Sequence, residues 1–160
     1  MVKVEEASVS KTEEQLVVFE LASERYGVQI DQVQEIIRLP AITRLPKAPE
    51  FVDGVINLRG RVIPVVDLRT RFGLGRGERT KESRIVVVDV GGQTIGMVVD
   101  GVSEVLRIPG DAVEPPSPVA TTVESAYIRG VAKLEGGLII LLDLSRVLSW
   151  DEKRALAEVS

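Results

Sequence analysis

The residues with the clearest chemical potential are Arg59 and Arg61, which flank Gly60 in the stretch Gly54-Val-Ile-Asn-Leu-Arg-Gly-Arg-Val-Ile-Pro-Val-Val-Asp-Leu68. Two guanidiniums side by side on a loop offer planar, directional forks for carboxylates and backbone carbonyls. Carriers of catalytic chemistry are scarcer. The 160-residue chain has no His and no Cys, so Ser-His-Asp and Cys-His nucleophile systems and zinc sites built from His and Cys are excluded. Its Asp and Glu residues are scattered, and no two share an evidently apolar, pKa-raising context. Gly73-Leu-Gly75-Arg-Gly77 with Lys81 has the glycines of a phosphate-binding loop. Its spacing matches neither the P-loop nor the dinucleotide fingerprint, and it reads as a flexible basic connector. The expectation is a protein that binds other proteins, with no catalysis, no cofactor and no metal.

Composition narrows the class further. The net charge is −4 and there are six aromatic residues in all (one Trp, two Tyr, three Phe). An acidic chain lacks the electrostatics of general nucleic-acid binding, and few aromatics leave few stacking platforms. A nucleic-acid-binding β-barrel stays as the alternative. It would show a basic stripe, and only the connector at 69–84 offers one. No apolar run approaches the roughly 18 residues of a membrane span. The acidic start, Met1-Val-Lys-Val-Glu-Glu-Ala7, has no apolar segment of a secretory signal. With no cysteine, the chain fits the cytoplasm.

The elements that must position these arginines are short strands. Val55 to Leu58 and Val62 to Leu68 are apolar, β-branched runs around a glycine-centred turn, a β-hairpin signature. Residues 1–14 read as a loose polar tail. Gln15 to Leu21 and Tyr26 to Ile30 form a first hairpin. Asp31, with Gln34 three residues on, suggests an N-cap before a helical turn or bent strand. Pro40 and Pro46 break any longer helix, and Ala41 to Leu45 is extended. Ile85 to Val90 and Thr94 to Val99 pair around Gly91-Gly92, and Val102 to Ile108 is a further strand. Pro109 to Pro118 reads as a loop, and Tyr127 to Leu134 pairs with Leu138 to Leu144. Ser149 with Glu152 predicts a capping box for a short C-terminal helix over 149–160.

The chain repeats itself. Tyr26–Arg38 aligns with Ile95–Arg107 at an offset of 69, sharing Gly27/Gly96, Asp31/Asp100, Val33/Val102, Glu35/Glu104 and Arg38/Arg107. Gly54–Phe72 aligns with Gly130–Leu148 at an offset of 76, with seven of 19 positions identical. At about 7% per common residue, chance supplies one or two. The fold predicted is all-β: two tandem five-stranded barrels sharing an interface core, with short helical turns. The first barrel spans about 15–80 and the second about 81–148, with strands at the boundary free to cross over. Each half is marginal alone, and the groove between them is the natural binding site.

The repeat also separates fold from function. Gly60 and Gly136 suit a turn at positive φ, and Asp67 and Asp143 suit helix caps. Asn57, Arg59 and Arg61 face Lys133, Glu135 and Gly137 in the second copy, so the backbone does not demand them. Arg59 is the leading functional candidate, against the plainer reading of an arginine solvating a hairpin tip. Glu35 recurs as Glu104, which favours a structural ion pair.

Taken together, the Gly54–Leu68 stretch, Tyr26-Gly-Val-Gln-Ile-Asp31, Val33-Gln-Glu-Ile36 and Ile95-Gly-Met-Val-Val-Asp-Gly-Val-Ser-Glu-Val105 resemble the CheW-like chemotaxis coupling family across about residues 15–150. The kinase and receiver domains that carry the same module elsewhere are absent from this sequence. The resemblance implies two Src-homology-3-like barrels and an adaptor joining chemoreceptor cytoplasmic tips to the CheA histidine kinase in membrane-associated arrays. It implies a receptor surface at Val33, Glu35, Gly54, Asn57, Arg59 and Val62, in the groove between barrels. It also implies a surface for the kinase regulatory domain around Ile42 and Leu45 and around Glu114 to Val119. The Glu114–Val119 loop lacks an aromatic expected of the family there. A monomer that joins receptor arrays is the implied state.

Overall fold

The computed structural model describes residues 13–75, 77–115, 127–134 and 136–148. Its strands are β1 (Glu13–Leu21), β2 (Glu24–Gln29), β3 (Val33–Arg38), β4 (Val52–Leu58), β5 (Arg61–Asp67), β6 (Arg84–Val90), β7 (Gln93–Val99), β8 (Gly101–Pro109), β9 (Val113–Glu114), β10 (Ile128–Leu134) and β11 (Gly137–Leu142). Short helices α1 (Leu68–Arg71) and α2 (Leu144–Val147) follow β5 and β11. Asp67 and Asp143 cap them, Asp67 accepting from the Arg69 and Thr70 amides and Asp143 from that of Ser145. Losing such a cap costs about 1 kcal/mol.

The strands form two sheets, one ordered β8-β1-β2-β11-β10-β9 and the other β3-β6-β7-β5-β4. Each is the wall of one barrel. Strands β1, β5, β6, β7 and β11 contain apolar runs buried on both faces. On β1, Leu16 and Val18 enter the interior of the first-named barrel, while Val17, Phe19 and Leu21 enter a seam between barrels. On β6, Ile85 and Val87 fill the other interior, while Val86, Val88 and Val90 face the seam. On β11, Ile139 and Leu141 point inward, and Ile140 and Leu142 join the seam. The seam is therefore the largest core among the described residues. Through it runs an aromatic column, with ring centroids 6.1 Å apart for Phe19–Tyr26, 6.1 Å for Tyr26–Phe72 and 5.3 Å for Phe72–Tyr127.

The two sequence repeats do not each build one barrel. Repeat 1 runs from β1 through α1 and repeat 2 from β6 through α2, and they exchange their leading hairpins. The β1–β2 hairpin of repeat 1 pairs with β8 and, in parallel, with β11 of repeat 2. The β6–β7 hairpin pairs with β3 and, in parallel, with β5 of repeat 1. The cause is local. Joining its own sheet would require β3 to pair antiparallel with β1 and so to run parallel to β2. Parallel strands need a connection of a dozen or more residues. Only the 3₁₀ turn Ile30–Gln32 separates β2 from β3, and only Asp100 separates β7 from β8. One barrel is thus contiguous over 33–99.

Other expectations shift as well. Glu13 and Glu14, read with the tail, belong to β1. Asp31 caps nothing. It lies within a 3₁₀ turn, and the strand that follows, Val33–Arg38, carries a bulge, so the helical turn and the bent strand both occur. A two-residue strand, β9, stands inside the proline loop, and its counterpart in the contiguous barrel is the bridge between Thr43 and Val55. At the second hairpin tip Gly137 takes a positive φ of +120°. The connector after α1 is folded back onto the protein rather than flexible. Arg69 reaches Asp100 at 2.7 Å and donates to the Gly75 carbonyl, while Arg79 reaches Asp53 at 2.5 Å and Asp67 at 3.2 Å. The C-terminal helix expected over 149–160 lies outside the described residues.

Candidate partner-binding site

The β4–β5 hairpin closes with Leu58 opposite Arg61, leaving Arg59-Gly60 as a two-residue loop. Both residues have positive φ, +52° and +85°, the pattern of a type I′ turn that fits the twist of its strands. Gly60 adopts this freely; Arg59 does not. Asn57 holds the turn, its Oδ1 accepting from the Gly60 amide at 2.8 Å.

From this tip the Arg59 guanidinium reaches across to β3. Its Nη1 and Nη2 donate to Oε2 and Oε1 of Glu35 at 2.5 and 2.7 Å, a two-bond fork. Hydrogen bonding by Arg59 holds the Glu35 carboxyl below the usual carboxylate range, and Glu35 raises the guanidinium in turn. Glu35 lies opposite Val87 in register, and Val87 belongs to the barrel interior. The carboxylate therefore stands on the interior face, near the barrel mouth. The Thr94 hydroxyl nearby accepts from Gln34 and Arg61, each at 3.3 Å. The arginine side chain is 72% exposed despite its partner, so its outer edge is open to a second acceptor. Beside it stand exposed apolar residues, Val62 at 50% and Ile36 at 38%.

The other expected receptor residues divide. Val33 is half-buried against the seam. Asn57 is exposed, but its amide oxygen is committed to the turn. Gly54 is buried, and with φ +148° a Cβ there would stand 2.0 Å from the Thr43 carbonyl oxygen. It is a packing position that lets the Thr43 bridge close on β4. Its equivalent Gly130 stands likewise against β9, where a Cβ would lie 2.7 Å from Val113 Cγ1 and 2.8 Å from the Glu114 carbonyl oxygen. The recurrence of Gly54 as Gly130 was the sequence signal for this. The proposed kinase-facing residues fall on equivalent barrel edges. Ile42 packs partly into the interior beside the Thr43 bridge and Leu45 lies just beyond, while Glu114 is on β9, 2.9 Å from Lys133. Val119 lies outside the described residues.

Comparison with the second repeat isolates what is special. Val105 and Leu138, 55% and 44% exposed, occupy the positions of Ile36 and Val62, so the paired exposed apolar residues belong to the fold. Glu104, the counterpart of Glu35, has Arg25 at 3.7 Å, and Arg25 donates to the Gly136 carbonyl. That arginine comes from β2, not from a hairpin tip. Sequence reasoning missed Ile36, an apolar residue on the exposed face of β3 that it shares with Gln34 and Arg38. It also missed Thr94 and Arg79, whose roles depend on contacts distant in the chain.

Two interleaved barrels presenting an arginine fork and an apolar rim define a protein-binding module. Residues 15–152 match the CheW-like domain family, and the chain belongs to it. It is 33% identical to the chemotaxis protein CheW of Klebsiella aerogenes over 147 residues, covering 92% of this chain and 89% of that one. Over 141 residues it is 36% identical to CheW of Rhizobium meliloti, covering 88% and 91%. Its structure is similar to that of the scaffolding protein TtCheW from Thermoanaerobacter tengcongensis, with a TM-score of 0.80 and 42% identity, covering 87% and 90%.

Proposed function

We propose that this chain is a chemotaxis coupling adaptor that joins chemoreceptor cytoplasmic tips to the CheA histidine kinase in the cytoplasm, by binding alone. The receptor's helical tip docks along the groove between barrels. Ile36 and Val62 meet its apolar face, and Arg59, aimed by Glu35, meets a carboxylate or carbonyl, a helix-in-groove mode. Val33 and Asn57 shape that surface, and Gly54 acts through the backbone beneath it. The regulatory domain of the kinase meets the two barrel edges, at Ile42 and Leu45 and at Glu114 with the loop that follows. Individual contacts can be weak because clustering raises the effective concentration of each partner. Signal transfer needs a coupling of only about 1–3 kcal/mol between the two partner surfaces.

The observation that carries this reading is Arg59 itself. An arginine stands in a left-handed turn position, fixed by a fork and still exposed, where the second repeat has Glu135. The test is a binding assay with a receptor cytoplasmic fragment and a CheA regulatory domain. Arg59→Glu should weaken the receptor at least about tenfold, as loss of a charge-assisted fork does. The melting temperature and kinase binding should change little. A large loss of stability would make Arg59 a structural residue instead. A nucleic-acid role finds no support in the connector, since Arg69, Arg79 and Arg84 are all turned to partners within the protein.

A further inference from the structure

Two ion pairs start from equivalent positions in the barrels, one from an acid and the other from a base. Each begins at a β-bulge. On β4 the register slips between Val52 and Gly54, leaving Asp53 as the extra residue; on β10 it slips between Ile128 and Gly130, leaving Arg129. Asp53 and Arg129 are equivalent at the repeat offset of 76, and a bulge re-aims its side chain in both cases. Asp53, 7% exposed, accepts from Arg79, which lies five residues ahead of β6. Arg129 donates two bonds to Glu14 near the start of β1, at 2.6 and 3.2 Å, and Gln29 also donates to Glu14 at 3.3 Å. Each pair thus clasps the exchanged hairpin of the opposite repeat close to where that hairpin begins.

We propose that these clasps make the two repeats recognise one another and reject themselves, so that hairpin exchange closes within one chain instead of spreading between copies. The backbone alone cannot make that choice. The pairing of Val17 with Val105 has its equivalent in Val86 with Ile36, and that of Gly27 with Leu141 in Gly96 with Val65. The apolar pattern into the seam is equally shared. Because neither repeat can complete its own barrel, each must accept a hairpin from elsewhere, and repeat 1 of a second copy would offer one that fits. Charge discriminates against it. At the repeat offset of 69 a foreign β1–β2 hairpin in repeat 1 would put Glu14 at the place of Ser83, an acid on the side of Asp53 in place of Arg79, and a foreign β6–β7 hairpin in repeat 2 would bring Arg79 to Arg129, with Asp143 standing where Asp67 does. Attraction in the right pairing and repulsion in the wrong one act together.

The test uses the full chain carrying Glu14→Arg, Arg129→Glu and both together, followed by denaturant unfolding and by light scattering at high concentration. Each single reversal should shift the folding equilibrium at least about tenfold toward the unfolded state, within the range of neighbouring charge pairs. Glu14→Arg should also form species heavier than the parent, because Arg at position 14 now complements Asp53 of another copy. The double reversal should recover stability by restoring the pair within the chain, yet still form heavier species at high concentration, because Arg at position 14 complements Asp53 and Glu at position 129 complements Arg79 of another copy. A single variant that does not fold while the double variant does supports the proposal equally. The proposal is overturned if the single reversals keep the parental midpoint and mass, or if the double variant is no better than the sum of its parts.

Discussion

At the scale of single residues, Arg59 and Glu35 set a trade between stability and binding. A non-glycine residue at φ +52° is strained, and Asn tolerates that region better. Arg59→Asn should therefore raise the melting temperature by roughly 1–3 °C, while binding of a receptor fragment falls. Calorimetry and a titration on the same sample check both. The fork also has a pH signature. Glu35 is held below the ordinary value near 4.3, so its contribution is complete above that pH and fades as the pH falls through its lower, folded value. A carboxyl NMR titration should place the Glu35 midpoint below ~4.3, and Arg59→Asn should move it back up. How far such residues were legible depended on the repeat. Arg59 stood out because its copy is Glu135, and Gly54 could have been read as structural because its copy is Gly130. Arg79 could not be read, because sequence does not show that a charge in a glycine-rich connector folds back onto two aspartates.

Among elements, the short barrel edges are the sensitive parts. Gly54→Ala would drive a Cβ into the Thr43 carbonyl at 2.0 Å, and Gly130→Ala into Val113 and Glu114 at 2.7 and 2.8 Å. Overpacking of this kind costs about 1–3 kcal/mol, and the closer backbone clash together with positive φ puts Gly54→Ala at the upper end. Urea unfolding of the two variants should show that order. Arg79→Ala removes the guanidinium that Asp53 and Asp67 share across the bulge. Breaking a fully buried pair costs about 3–5 kcal/mol, and with Arg79 one-third exposed about 2 kcal/mol is expected in the same measurement. The strands themselves were legible from their β-branched runs and turn glycines. Their partners were not, because strands buried on both faces lose the alternation that would assign each face. The exchange follows instead from connections of three residues and one.

For the whole molecule, the seam makes two barrels one cooperative body. Arg71 ties its two sides, lying 5.4 Å from the Phe51 ring and 5.0 Å from that of Tyr127, and donating to the Val147 carbonyl at 2.8 Å. Phe72→Ala should cost about 3–5 kcal/mol, and both barrels should still melt in a single calorimetric transition. Two separate transitions would mean the seam does not couple them. The interleaved order also sets a timetable during synthesis. The contiguous barrel of residues 33–99 can close as soon as β7 has left the ribosome. The β1–β2 hairpin, made first, has no partner until β8 appears. Between Gln29 and Gly101 lie about 70 residues, or roughly 4–14 s of translation at typical speeds. For that interval the oldest strands of the nascent chain wait with both apolar faces uncovered, and they are the segment a cell's chaperones would meet first.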